Sequence, residues 1–176
     1  MERHCTKSVP AHEQTWRGPD YAFYRAAMGR TERIQTPGFH HVFSRGTGGS
    51  AFFVDDDDRR LFVHLLERTA HGLHWEIQAY CLMTTHYHVV VETCELNLSR
   101  GMQRVNSIYV KAFNGRWGRF GTLVAGRFGS RVIESEEYLL EACQYVFLNP
   151  VRARLCDRAS DWPWSGGLFV SALSDL

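Results

Sequence analysis

The sequence predicts an α+β domain, an antiparallel sheet with helices packed on it. Three observations carry that prediction. Short runs rich in valine and aromatic residues alternate apolar and polar positions, the period of a strand. Longer stretches between and after them repeat apolar residues every three or four positions, the period of a helix. The connections are short, so consecutive elements turn back on one another. With 176 residues the chain is long enough for one domain with its own core.

Residues 1–32 show no period and are broken by Pro10, Gly18, Pro19 and Gly29. They read as a flexible arm with a short helix near Tyr21–Met28. The domain is expected over 33–170, with a tail over 171–176. Phe39–Ser44 reads as a first strand, whose His40 and His41 fall on opposite faces. Arg45–Ser50 is a glycine-rich loop. Asp55–Ala70 reads as a helix, with acids in its first turn where the helix dipole favours them. Gly72 is expected to end it.

Trp75 to Met83 alternates as a second strand, and Thr84-Thr85 leads into a third that carries His86, His88 and Val89-Val90-Val91. The two read as an antiparallel hairpin. Leu96–Asn114 is a second helix closed by Gly115, with Leu98, Met102, Val105, Ile108, Tyr109 and Phe113 as its stripe. Val132-Ile133 suits a short edge strand. Ser135 is placed as the N-cap of a third helix that Pro150 stops near Leu148. Its expected core side is Leu139, Leu140, Cys143 and Phe147, with Val146 beside them. Trp162-Pro163-Trp164 is expected to seal the C-terminal end of the core. The β-α-β-β-α-(β)-α order is ferredoxin-like.

Composition narrows the function classes. No apolar run approaches membrane-span length, and Met1–Cys5 lacks the plan of a secretory signal. The five cysteines are scattered, with no C-x-x-C pair, which argues against a disulfide framework and a thiolate zinc site. These features point to a reducing cytoplasm. Net charge is only +1, yet Arg100, Arg104, Lys111, Arg116, Arg119, Arg127 and Arg131 fall in a stretch without a single Asp or Glu. Such a stripe suits a phosphate track. Trp117, Phe120 and Phe128 are interleaved with it; aromatics so placed suit base stacking on single strands, and can equally anchor a loop to the core.

His86-Tyr87-His88 carries the chemistry. Side chains alternate along a strand, so His86 and His88 share a face with Cα atoms roughly 6.5–7 Å apart. Two imidazoles so placed can grip one divalent metal, while Tyr87 points to the core. Alone, the pair also fits two half-exposed strand histidines. The third helix adds a line of Tyr138, Ala142, Tyr145 and Asn149 on one face. Asn149 can offer an amide oxygen as a third metal ligand and Tyr145 a nucleophile. The donor set suits Mg2+ or Mn2+ among several candidates. A tyrosine beside such a metal fits phosphodiester transesterification, in which the phenol oxygen attacks phosphorus in line. No general base is obvious; Glu92, on the His88 face, is one candidate but reads more readily as a surface strand carboxylate. Tyr109 is a competing tyrosine better read as a core or DNA-facing aromatic.

His86-Tyr87-His88 resembles the HUH signature of single-tyrosine endonucleases. Phe39–Gly46, Phe53–Arg60, Trp75–Glu92, Asn97–Asn114, Gly126-Arg127-Phe128, Tyr138–Arg154 and Asp161–Ser165 are similar to the REP-associated tyrosine transposases and their small insertion-sequence relatives. The most specific block is Tyr145–Ala153. The resemblance implies a ferredoxin-like fold, Tyr145 as nucleophile, and a divalent metal held by His86, His88 and Asn149. It also implies single-stranded DNA with a hairpin as substrate. Arg45, Arg100, Arg104, Lys111, Arg116, Arg119, Arg127 and Arg131 are then the expected DNA contacts. Monomers and compact homodimers both occur among relatives. The sequence departs from the pattern at Thr84-Thr85 (often Pro-Asn), at Thr47-Gly48-Gly49, and at Ala125 and Gly129 (often Gln and Lys). These changes remove DNA contacts and keep the catalytic trio. The alternative function is therefore a domesticated, non-catalytic DNA-hairpin-binding regulator. A third reading is a histidine-metal hydrolase unrelated to DNA.

Overall fold

The computed structural model describes residues 36–174. The expected arm over 1–32 and its short helix lie outside the described residues. Nine main elements follow in order: β1 (Gly38–Arg45), α1 (Asp56–Leu73), β2 (Trp75–Leu82), β3 (His86–Thr93), α2 (Leu98–Trp117), β4 (Gly129–Ile133), α3 (Glu136–Arg152), β5 (Ser165–Gly166) and α4 (Leu168–Ser174). The strands form one antiparallel sheet in the order β4-β1-β3-β2-β5. The first four strands with α1 and α2 make the expected ferredoxin-like unit, and β5 extends its β2 edge. Among the described residues no helix is long and apolar enough to cross a membrane.

Strand alternation gives the sheet two buried faces. Val42, Tyr87, Val89 and Val91 point one way and pack with Phe62 and Leu66 of α1 and with Met102, Val105, Tyr109 and Phe113 of α2. Ala79, Cys81 and Val90 point the other way and pack under Ala142, Cys143 and Val146 of α3. Tyr87 and Val89 are fully buried, as expected of the tail that follows the histidines. Trp162 packs on the α3 side and Trp164 on the other. Leu82 N donates to Trp164 O at 2.9 Å and Trp162 Nε1 donates to Leu82 O at 3.2 Å, which ties the C-terminal segment to β2.

Several boundaries differ from expectation. Gly72 and Gly115 lie inside α1 and α2, which end instead at His74 and Gly118, both left-handed (φ 55° and 60°). A glycine with helical φ weakens a helix by about 1 kcal/mol without ending it, whereas a left-handed residue does end it. α2 starts at Leu98, after Asn97, and so two residues later than expected. α3 runs through Pro150 to Arg152. In the last turn a proline removes one hydrogen bond, and Ala153 N still reaches Asn149 O at 3.0 Å. Leu140 is exposed, not core, because the buried face of α3 is Ala142, Cys143, Val146, Asn149 and Pro150. The edge strand β4 is five residues long and pairs with β1 from Gly129 to Ile133. The Ser135 cap matches expectation: it accepts from Tyr138 N at 3.2 Å. Asp55, expected inside the first turn of α1, is instead its N-cap and accepts from Asp58 N at 3.1 Å.

Candidate active site

β3 and α3 build the site between them. The sheet face under α3 carries His86 and His88, 5 % and 1 % exposed, with ring centroids 5.2 Å apart and planes at 89°. The half-exposed pair that the spacing also allowed is thereby set aside: α3 covers both rings. Asn149, 6 % exposed, brings its amide close to His86 from that helix. One turn earlier, Tyr145 sets its ring 5.5 Å from His88 and 6.0 Å from His41, edge to face. The expected line of Tyr145 and Asn149 thus faces the histidine pair.

The neighbours orient these rings. Thr84 O accepts from Phe52 N at 2.8 Å and Thr85 O from Gly46 N at 2.8 Å, so the β2–β3 turn is pinned to the loop after β1. Within that turn Thr85 Oγ1 lies 3.0 Å from His86 Nδ1. His88 Nδ1 lies 2.9 Å from Nε2 of buried His41, a hydrogen bond in which one ring donates and the other accepts. Phe43 stands opposite His88 in the β1–β3 register and Arg45 opposite His86. Burial holds the His41 imidazole down at about 4, helped by the Arg131 charge. Burial also lowers His86 to about 4, against the opposing influence of the nearby Asn149 amide and with the charge of Arg45. His88 is lowered well below the usual range by burial and then by its two histidine neighbours. All three rings are neutral at pH 7, the form in which an imidazole nitrogen can bind a metal.

Among the described residues no group of three or more His, Cys, Asp or Glu side chains is arranged to hold a metal ion. A metal at His86 and His88 would have to draw a third protein donor from another residue type, and the Asn149 amide stands nearest in kind. The residues fit such an ion: two buried neutral imidazoles, each held at Nδ1, and one amide on the facing helix. That is the arrangement in which outer partners fix the rings and Nε2 coordinates.

The basic residues divide into two groups. Arg45 and Arg131 lie beside the histidines, and Arg45 and Arg127 line one cleft with Phe43, Ser44, Ala125, Gly126 and Gly129. Arg100, Arg104 and Lys111 are exposed on α2, which packs on the opposite face of the sheet. They do not continue a track past the histidines. Arg116, one of the expected DNA contacts, is held in ion pairs within the fold. Its guanidinium reaches Asp55 at 2.6 and 2.7 Å, Asp58 at 2.9 Å and Asp57 at 3.2 Å. The charge that looked uncompensated is matched by the acids that open α1. Arg119 is exposed and lies 5.7 Å over the Phe113 ring. Of the interleaved aromatics, Phe128 is buried and Trp117 donates to Asp58, whereas Phe120 is 98 % exposed.

Two other candidates lose their place. Tyr109 is fully buried and its hydroxyl donates to Phe52 O at 2.6 Å, so it is core. Glu92 sits four residues along β3 from His88, about 13 Å away, opposite Glu76 of β2. Two residues near the site went unseen in the sequence. His41 looked like half of an adjacent pair split across a strand, and its partner His40 indeed bonds Thr36 O elsewhere. Arg152 places its guanidinium 5.0 Å over the Tyr145 ring. Its position seven residues after Tyr145, two helical turns on, was the available signal.

The Gly129 departure has a structural cause. Gly129 faces Phe43 across the β1–β4 pair, and a Cβ there would lie 2.3 Å from Phe43 Cε2. The Phe43 ring occupies the place of a side chain at 129.

No family model and no curated protein matches this chain. Among solved structures, the fold is similar to that of the REP-associated tyrosine transposase bound to a REP hairpin. The TM-score is 0.70 over 84% of this chain and 86% of that chain, at 16% sequence identity. At that identity the likeness establishes the fold: a five-stranded antiparallel sheet with helices on both faces, common to this chain and a tyrosine transposase.

Proposed function

We propose that this protein cleaves and rejoins single-stranded DNA through Tyr145, with hairpin-forming repeats as substrate. One observation carries the reading. Tyr145 and Asn149 of α3 converge on His86 and His88 of β3, a placement that suits a nucleophile beside three metal donors. The likeness to a hairpin-bound tyrosine transposase supports the substrate class. The reading places the protein on DNA in the cytoplasm.

The phenol oxygen of Tyr145 attacks phosphorus in line and displaces the 3′ oxygen. The products are a 5′-phosphotyrosine and a free 3′-OH. The phenol proton leaves to solvent and the departing oxygen takes one from water. Because the phosphodiester energy is kept, a 3′-OH can attack the adduct, release Tyr145 and reseal a strand. A phenol ionises near pH 10 in water. The Arg152 guanidinium lies 5.0 Å over the Tyr145 ring and holds it in place. Arg45, Arg127 and Arg131 supply the positive rim for the phosphate chain. His86, His88 and Asn149 would hold a divalent cation, Mg2+ or Mn2+, which supplies Lewis-acid stabilisation of the phosphoryl and leaving oxygens.

The test mixes protein, Mn2+ or Mg2+ and 3′-end-labelled hairpin DNA from the repeats flanking its gene, and runs the products on a denaturing protein gel. The expected result is a labelled band that survives denaturation and is absent with Tyr145→Phe. Binding without an adduct, across several hairpins and both metals, would refute catalysis and leave the hairpin-binding regulator.

A further inference from the structure

We infer that His41 is the positioning residue of this site: it accepts a hydrogen bond from His88 Nδ1–H and so fixes His88 in the tautomer whose Nε2 binds a metal. The inference rests on His86, His88 and Asn149 being the metal donors.

The geometry is specific. His41 Nε2 and His88 Nδ1 are 2.9 Å apart, and the residues are 3 % and 1 % exposed. The bond runs diagonally across the β1–β3 ladder. His41 pairs with Val90, and His88 is the next residue on the same face. Packing alone does not account for this choice. Cys81 and Val90 line the same face, and an apolar side chain at 41 would avoid the cost of burying an imidazole. What an apolar residue could not do is accept a proton. A neutral imidazole carries its hydrogen on one nitrogen only, and the bond made by one nitrogen decides which. With His41 as acceptor, the His88 hydrogen sits on Nδ1 and the Nε2 lone pair is directed away from β1. Phe43 lies 5.6 Å from the His41 ring and 6.3 Å from that of His88, and so wedges the pair in place. Thr85 stands at Nδ1 of His86 in the same relation. His41 touches neither metal nor DNA in this scheme and acts only through His88.

The experiment titrates Mn2+ into metal-free protein and reads the free ion by electron paramagnetic resonance. Wild type, His88→Ala, His41→Leu and His41→Gln are compared. Loss of an outer-shell partner weakens metal binding about 10–100-fold, which is the result expected for His41→Leu. His41→Gln places an amide oxygen near the Nε2 position and recovers most of that loss. Wild-type affinity in His41→Leu, with binding lost in His88→Ala, would overturn the role of His41 and leave the donor set standing. Equal, absent binding in wild type and His88→Ala would instead sink the donor set. A second measurement needs no variant to fold. Nitrogen NMR of histidine-labelled, metal-free wild type should show His88 protonated at Nδ1. Protonation at Nε2 would overturn the inference.

Discussion

Replacing Gly129 by alanine tests how β1 and β4 hold the site. Gly129 is not in the left-handed region, so its backbone tolerates a side chain. Its space does not. The new Cβ would meet Phe43 Cε2 at 2.3 Å and Cζ at 2.4 Å, where ordinary contact begins at 3.4 Å. The ring must therefore retreat by about 1 Å. Phe43 is 2 % exposed and bounded by His41 and His88, so the retreat presses on both imidazoles. Overpacking of this kind costs about 1–3 kcal/mol. Removing a strand glycine returns about 0.5–1 kcal/mol. Mid-range values leave a net of about 1 kcal/mol of destabilisation, a fall of roughly 2–4 °C in Tm for a chain of this size. Urea titration should move the midpoint at constant m. Phe43→Leu trims the ring, so the double variant should be more stable than the two single losses add up to, by about 1 kcal/mol. A neutral or stabilising Gly129→Ala, or a cycle additive within about 0.5 kcal/mol, would refute the reasoning.

Other outcomes follow from the same geometry. Arg116→Met should lower Tm, because it strips a cation from Asp58, 2 % exposed, while leaving DNA affinity near wild type. Arg127→Ala should do the reverse, keeping Tm and reducing the slope of log affinity against log salt by about 1. Tyr109→Phe should cost about 1–2 kcal/mol through the lost bond to Phe52 O, yet still form the DNA adduct; loss of the adduct in a folded protein would reinstate Tyr109 as nucleophile. Folded-state His41 and His86 titrate near 4, below the unfolded value of 6.5. The unfolded chain thus binds more protons between those pH values, so metal-free stability is full above about pH 6.5 and falls toward pH 4. His86→Gln should flatten that fall in a Tm-versus-pH series, and an unchanged slope would count against the buried neutral ring.

Much of the architecture and the heart of the candidate site are local in sequence, and that is why they could be read there. Two-residue alternation puts His86 and His88 on one face and Tyr87 on the other, whatever the sheet order. Four-residue spacing puts Tyr145 and Asn149 on one helix face. Ser135 announces its cap because capping involves residues three apart. Helix ends were less legible, since Gly72, Gly115 and Pro150 mark weakness in a helix, and packing decides whether the chain stops there. Leu140 shows the same limit: which flank of α3 meets the sheet depends on how the helix is rolled against β2 and β3.

What only the tertiary structure decided depends on register between distant strands and helices. His41 meets His88 because β1 pairs with β3 with Val90 opposite it, 47 residues separating the two rings. Arg116 is neutralised by acids 58 to 61 residues earlier, because the end of α2 lies beside the start of α1. Gly129 is small because β4 pairs with β1 where Phe43 crosses it. A sequence states which faces an element has. Chain closure sets which faces meet, because burying apolar area against one partner rather than another is a property of the whole fold.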